Sequence, residues 1–460
     1  MARGRGFGGQ PDKRIVILGG GFMGIYTALG LEKLLRPEDR TEVTLISPDN
    51  FFLFTPMLCE VASSSIETTH AINPIRRMLR QTRFVEGSAE GLDVAQQRVS
   101  VRLQSGHIEE FPYDHVVIAT GARTGYFGMK DVETYALTAK TLGDALQLRN
   151  WVIDLLERAD TEPDQAMRAQ LLTIVVAGGG LTGVEIAGEV NDLVREAAKV
   201  YPQLSQRQIR VMLVEAGPRL MPDLSDDLAS FTLRRLRARG VEVLLNTRLA
   251  GASERDVRLQ AAAGETILPT STLVWTTGVA PHPLLATLDL AKDAKGWLEV
   301  DAHLRVKGTA NVWAGGDCSR IPDVLRPGKT HPATAQHAIR EAAQLARNLK
   351  AVLGGQPTQP FRYRTLGQMA TIGHYNGVGI IGPFKVSGFL GWAAWRSYYL
   401  WRLPRLEKRL RVATDWTVDL LFGRDISQIK THVNPRPGLG HTPQHVPNDP
   451  ATTKERAPVN

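Results

Sequence analysis

The sequence predicts an α/β protein with two Rossmann-like dinucleotide-binding domains, one inserted in the other, and a C-terminal membrane-associating helical region. Three observations lead there. Gly19-Gly20-Gly21-Phe22-Met23-Gly24 reads G-x-G-x-x-G, and so does Gly178-Gly179-Gly180-Leu181-Thr182-Gly183. Each copy follows a short apolar run and opens a helical pattern, the context that gives this fingerprint meaning. Between residues 388 and 411, aromatic side chains are interleaved with arginine and lysine. One glycine fingerprint is a weak signal. Two in one chain point to two dinucleotides held by one enzyme, and so to electron transfer between them.

Each element follows from local pattern. Residues 14–18 (R-I-V-I-L) form a short apolar run expected as a buried parallel strand. A helix is expected over 23–35, ended by Pro37, and a second strand over 42–46. Short strands are expected within 84–111, and a strand over 113–120 runs into Gly121. Residues 139–170 form a charged helical stretch. The second unit then begins with a strand over 172–177, a helix over 184–200 and a strand over 211–215. Further strands end at Trp275-Thr276-Thr277-Gly278 and at Gly315-Gly316-Asp317, and 332–353 reads as helix. The expected division is therefore a discontinuous first domain, 11–138 and 301–360, and a second, 139–300. A C-terminal region, 361–430, and a disordered tail, 431–460, follow.

Composition bounds the function. The chain has 460 residues, 43% of them hydrophobic, enough for several domains with large cores. Its net charge of +8 suits phosphate-rich cofactors, anionic lipid or nucleic acid. No nucleic-acid motif is present, so that partner is not expected. Cys59 and Cys318 are the only cysteines, which argues against a disulfide scaffold and suits a reducing compartment. No metal-ligating pattern is found. Residues 1–10 are basic and glycine-rich, so no secretory signal is expected, and no uncharged apolar run reaches the ~18 residues of a membrane span.

At each fingerprint, one glycine makes the turn, one admits the pyrophosphate, and one lets the helix pack on the strand. Free N–H groups at the helix N-terminus then meet the phosphates. In the second unit Gly178, Gly180, Leu181, Thr182 and Gly183 make this turn, and Glu215 ends the next strand. A carboxylate there accepts from ribose hydroxyls and repels a 2′-phosphate, which argues for NADH over NADPH; Arg219 lies nearby. Thr277 and Gly278 complete that site. In the first unit, formed by Gly19, Gly21, Phe22, Met23 and Gly24, the matching position is Ser47, a departure from the usual acid. Asp49 is a weaker substitute. Ala119, Thr120 and Gly121 end a strand beside it, and Asp317 is placed to accept from a flavin ribityl chain.

The chain resembles the two-dinucleotide flavoprotein oxidoreductases, and within them the type II NADH dehydrogenases, over roughly 14–430. The resemblance rests on Phe51-Phe52-Leu53-Phe54-Thr55-Pro56-Met57-Leu58, on the second fingerprint extended through Val184-Glu185-Ile186-Ala187-Gly188-Glu189, and on Ala335-Gln336-His337-Ala338. It implies FAD at the first site, NADH at the second, and a membrane quinone, ubiquinone or menaquinone, as acceptor. It brings Thr55, Pro56 and Ala335 to the flavin. It gives Glu185 a positioning or proton-handling role and Gln336 a hydrogen bond to quinone or flavin. A helix-capping acid and an ordinary polar residue are the plainer readings of those two. His337 is a weaker proton shuttle. The runner-up activities are sulfide:quinone oxidoreduction, which needs reactive cysteines, and a soluble FAD-dependent NAD(P)H reductase.

Helical spacing places Phe389, Trp392, Trp395 and Tyr399 on one face. Arg396, Arg402, Arg405, Lys408, Arg409 and Arg411 follow, opposed only by Glu407. This pattern marks an interfacial helix drawn to anionic lipid. A dimerisation helix or a buried core helix would share it, and a homodimer could use the same region. The expected location is peripheral, at the cytoplasmic face of the cell membrane.

Overall fold

The computed structural model describes residues 11–429, so the expectations for 1–10 and for the 431–460 tail lie outside the described residues. A parallel core starts the chain. The strand Lys13–Leu18 lies between Thr41–Ser47 and His115–Ile118, and Val312–Ala314 pairs beyond the latter. Ile15 and Ile17 are fully buried, as expected of a strand covered on both faces. The long strand Arg83–Asp93 enters parallel to Thr41–Ser47 and leaves as the first arm of an antiparallel meander with Arg98–Leu103 and Ile108–Pro112. The first fingerprint opens the helix Phe22–Leu34, which crosses Ala335–Leu353 closely. A Cβ on Gly30 would stand 2.8 Å from the Ala346 Cβ, so glycine sets that crossing distance.

The second unit repeats the plan. Val241–Leu244, Arg210–Val214, Thr173–Ala177 and Thr272–Trp275 form a wholly parallel sheet in that order. The helix Leu181–Ala197 follows its glycine turn, and an antiparallel sheet, Arg248–Ala252, Asp256–Ala261 and Gly264–Pro269, packs its Leu249, Val257 and Leu259 against Val175, Met212 and Leu273 of the parallel sheet. The expected helix over 139–170 is two helices, Leu142–Thr161 and Gln165–Leu171. Pro163 ends the first, and Asp164 caps the second by accepting from the Ala166 N–H at 2.8 Å. Ala122–Thr124 and Val279–Pro281 pair antiparallel where the chain passes between the two units.

The C-terminal region is a three-stranded antiparallel sheet, Gly367–Thr371, Gly377–Ile381 and Phe384–Ser387, with the helices Gly388–Arg402 and Leu406–Phe422. Its orientation corrects one expectation. Trp392, Trp395 and Arg396 face inward, at 8%, 1% and 8% exposure. Arg396 lies over the rings of Trp392 and Trp416, 4.3 and 4.6 Å from their centroids. Lys408 is buried too and donates to the Thr69 carbonyl at 2.6 Å. Periodicity identifies a helical face without saying which side faces in, and the buried carboxylates described below draw the arginine inward. The outward apolar residues are instead Phe389, Leu390, Trp401, Leu406, Leu410, Leu421 and Phe422. Among the described residues, no helix is long and apolar enough to cross a membrane.

Candidate functional site

Both fingerprint turns have the geometry the glycines imply. Gly19 has φ +116° and Gly178 has φ +114°, a region that side chains disfavour. A Cβ on Gly24 would sit 1.9 Å from the Gly19 carbonyl oxygen, and one on Gly183 would sit 1.7 Å from that of Gly178. Glycine at these two places lets the helix press onto the turn. Gly21 and Gly180 are the helix N-caps, with no side-chain cap, and a Cβ on either would meet nothing within 4 Å. Open space in front of unpaired helix N–H groups fits a pyrophosphate.

At the first turn, Phe22 packs edge-on against Phe52, 4.9 Å between centroids, and Met23 lies under Gly315 and Gly316. Ser47 is buried behind Gly20, where a Cβ would come within 2.6 Å of its Oγ. The neighbouring acid is Asp49, its carboxyl raised above the usual range by burial and then by Glu86. Ala119 abuts Gly19, Gly121 has φ +66°, and the Thr120 Oγ1 is buried without a partner. That orphaned hydroxyl, beside an open glycine turn, fits a bound polar cofactor. Thr55 and Pro56 form a short turn, Thr55–Met57, that leads into the helix Leu58–Ala62. Asp317 lies 3.8 Å from the Lys140 ammonium. The buried Glu341 accepts from the Gly316 N–H at 2.8 Å, and burial raises its carboxyl to about 8.

At the second turn, Glu215 accepts from the N–H groups of Gly179 and Gly217, each at 2.6 Å. A cavity of about 500 Å³ opens beside it, lined also by Gly178, Thr247, Arg248, Trp275 and Thr277. Thr247, Arg248 and Trp275 belong to this pocket and carry no fingerprint signal in the sequence. Gly278 has φ +78° and packs against Gly125 and Phe127. Leu181 and Thr182 open the helix. Arg219 is engaged by Asp226 and by the Pro222 carbonyl, which leaves the carboxylate of Glu215 to dominate.

The two units meet at Glu185. It is half-buried on the second-fingerprint helix. Its Oε1 accepts from the Thr371 N–H at 3.2 Å, and the Cys59 thiol donates to its Oε2 at 3.8 Å. Enclosure, only partly offset by the Thr371 bond, lifts its carboxyl to about 8, with Glu189 and Glu60 adding to the rise. A carboxylic acid still protonated at neutral pH is the result. Gln336 is held at both ends. Its Nε2 donates to the Gly367 carbonyl at 2.9 Å, and its Oε1 accepts from the Tyr363 hydroxyl at 3.0 Å. One amide hydrogen is left for a ligand. Ala335 begins the helix, whose N-cap, Thr334, makes no capping bond to the backbone. His337 is buried, with Nδ1 2.7 Å from the Thr334 hydroxyl and Nε2 3.3 Å from that of Thr365. Burial pushes it down to about 4, so it is neutral at pH 7 and poorly suited to shuttle protons.

Both cysteines are free and buried. Burial pushes Cys59 well up and Cys318 up to about 12, so neither is held as a reactive thiolate. The sequence reading missed the buried polar cluster behind Glu185, made of Glu60, Glu189, Asp192, Asp419 and Arg424. Its signal was present: Glu185, Glu189, Asp192 and Glu196 recur at helical spacing along one helix.

Residues 13–342 match the family model of the pyridine nucleotide-disulphide oxidoreductases, and 366–425 match that of the NDH2 C-terminal domain. A probable NADH dehydrogenase of Dictyostelium discoideum is 34% identical, with 90% of this chain and 91% of that protein covered. A type II NADH:quinone oxidoreductase of Mycobacterium tuberculosis is 32% identical, covering 90% of each. The NDH2 structure from Plasmodium falciparum in complex with NADH superposes with a TM-score of 0.84 at 22% identity, over 90% of this chain and 100% of that one. A sulfide:quinone oxidoreductase structure from Aquifex aeolicus reaches only 0.67 at 18% identity, over 90% and 96%. With two open glycine turns in one chain and relatives matched along nearly their whole length, the chain belongs to the pyridine nucleotide-disulphide oxidoreductases, in the type II NADH dehydrogenase family.

Proposed function

We propose that the protein is a non-proton-pumping NADH:quinone oxidoreductase that takes FAD at the first glycine turn and NADH at the second. The observation that carries this reading is the pair of open glycine turns, each at a helix N-terminus, with Glu185 of the second helix in contact with Cys59 of the first unit. Bound FAD supplies hydride acceptance and two-electron delivery. The chain supplies the rest. Gly19 to Gly24 and Thr120 hold and orient the flavin nucleotide. Gly178 to Gly183, Glu215, Thr277 and Gly278 hold the nicotinamide nucleotide. Glu185, protonated at Oε, stands ready to give a proton at the redox site. Gln336, fixed by Tyr363 and Gly367, offers one N–H to a carbonyl oxygen. The division into 11–138 with 301–360, and 139–300, is supported by Val312–Ala314 completing the sheet begun by Lys13–Leu18.

The acceptor is a lipid-dissolved quinone, reached by peripheral docking of the C-terminal helices at the cytoplasmic face of the membrane. What supports this is their exposed apolar rim, led by Trp401 at 73% and Phe422 at 82%, together with Arg402, Arg405, Arg409 and Arg411. Oxidation of NADH should depend on a quinone acceptor and should not be replaced by sulfide as donor. Binding to anionic vesicles should weaken as salt rises. Trp401→Ser with Phe422→Ser should release the protein from vesicles. An unchanged vesicle affinity in that variant, with two subunits cross-linked through the same helices, would instead make the rim a homodimer interface.

A further inference from the structure

The acids of the second-fingerprint helix form one stripe. Glu185, Glu189, Asp192 and Glu196 point along a single face of Leu181–Ala197. That face meets the helix Leu58–Ala62 and residues from the C-terminal helices. Arg424, its side chain 1% exposed, lies 2.9 Å from Glu189, 3.7 Å from Asp192, 3.7 Å from Asp419 and 4.0 Å from Glu196. Arg239 pairs with Asp192. Arg396 reaches Glu60 at 3.6 Å and Asp419 at 3.8 Å. The carboxyls in this enclosure outnumber the guanidiniums. Buried like charges do not all ionise, so protons must reside there.

Glu60 has one guanidinium within reach, that of Arg396, and shares it with Asp419. It is 2% exposed and its Oε2 has no partner. The residue before it, Cys59, touches Glu185. We propose that Glu60 is a positioning residue that forms a two-carboxyl proton store with Glu185 and returns to it each proton that Glu185 hands to the acceptor. The proposal rests on the quinone-reductase reading. In each turnover NADH supplies two electrons. The O–H bond of Glu185 breaks as one forms on the acceptor oxygen, and the second proton of the quinol is the one NADH delivers along with those electrons as hydride. Glu60 then gives its proton to the Glu185 carboxylate and regains one from solvent, so both acids end as they began.

From the C-terminal helix Gly388–Arg402, the Tyr399 hydroxyl faces Glu185 and is held protonated by burial. Glu189 is held ionised by Arg424 and by the Ser63 hydroxyl, which donates at 2.8 Å. From the helix Leu142–Thr161, Arg149 is occupied by the Ser64 hydroxyl at 2.6 Å. His70 pairs with Asp415, outside the store. His374 is lowered by burial and stays neutral. Burial lifts Glu60 to about 8, against the pull of Arg396, and so matches it to Glu185, also at about 8. Near-equal acidity is what permits transfer in both directions.

The test uses the FAD-loaded protein and has two readouts. Infrared titration should show protonated-carboxyl absorption at neutral pH, part of it removed by Glu60→Gln and another part by Glu185→Gln. In E60Q the Glu185 component should titrate at lower pH, because a like charge has gone. Flavin re-oxidation by a water-soluble quinone should fall roughly 10-fold in E60Q on the alkaline side, one unit of acidity being a factor of ten. Bleaching by NADH should stay unchanged, and Glu60→Asp should recover part of the loss. If wild type shows no such absorption at neutral pH, or E60Q leaves the Glu185 component where it was, the store is overturned. Intact infrared coupling with no re-oxidation by quinone would overturn the relay through the function it rests on. The wild-type titration decides the matter even if E60Q fails to fold.

Discussion

Glu215 shows how much one side chain can decide. One of its oxygens accepts from Gly179 of the glycine turn and the other from Gly217, so the carboxylate is fixed in place, and we propose that it receives a ribose hydroxyl. Glu215→Gln keeps the shape and removes the charge. The ratio of kcat/KM for NADH over NADPH should fall about 10-fold or more, the scale of a charged hydrogen bond; an unchanged ratio would remove Glu215 from cofactor choice. Glu341 makes a stability prediction. It is 2% exposed, and burial raises it from 4.5 to about 8. The folded protein therefore holds this proton more tightly than the unfolded chain does. Stability from it is full below about pH 4.5 and is lost as pH rises towards 8. Glu341→Gln should flatten that slope by roughly 2 kcal/mol or more, read as a smaller fall in Tm between acid and mildly alkaline buffer. Parallel Tm curves would contradict the assignment. The place of Glu215 was legible because a strand end after a glycine turn fixes its position. Glu341 was not, since nothing in A-I-R-E-A-A says which face of the helix meets the Gly316 turn.

Among the elements, the two glycine-turn helices carry the account. Gly24→Ala places a methyl against the Gly19 carbonyl, and Gly183→Ala does the same at Gly178. The outcomes should separate. G24A should purify with at least roughly 10-fold less flavin, because its helix is pushed from the phosphate cradle. G183A should keep its flavin and bleach with NADH only at far higher concentration. Equal flavin loss in both would mean that the turns serve fold and not separate cofactors. These elements were readable to within a few residues: a helix expected over 23–35 is Phe22–Leu34, and one over 184–200 is Leu181–Ala197. The C-terminal helix was readable as a helix and misread as to its faces. Trp395 and Arg396 look like an interfacial pair in sequence. Only the acids of a distant helix and of Leu58–Ala62 make the inner side the favourable one for an arginine.

For the whole molecule, the arrangement is a relay of surfaces. Two parallel cores each end in a glycine turn, and the C-terminal sheet reaches Glu185 through Thr371. The C-terminal helices cover the acid stripe from the other side and leave an apolar rim outside. The duplicated fingerprint made the sheets and the nucleotide sites legible. The buried network was harder to see, because its partners come from three separated stretches of chain that only the fold brings together. Electrons pass from NADH to bound flavin and on to a quinone within this one chain. Anaerobic stopped-flow absorbance of the purified protein tests it most directly. The expected result is a flavin spectrum that NADH bleaches within one turnover and that a quinone then restores. A protein without flavin, or a flavin that NADH leaves oxidised, would contradict it.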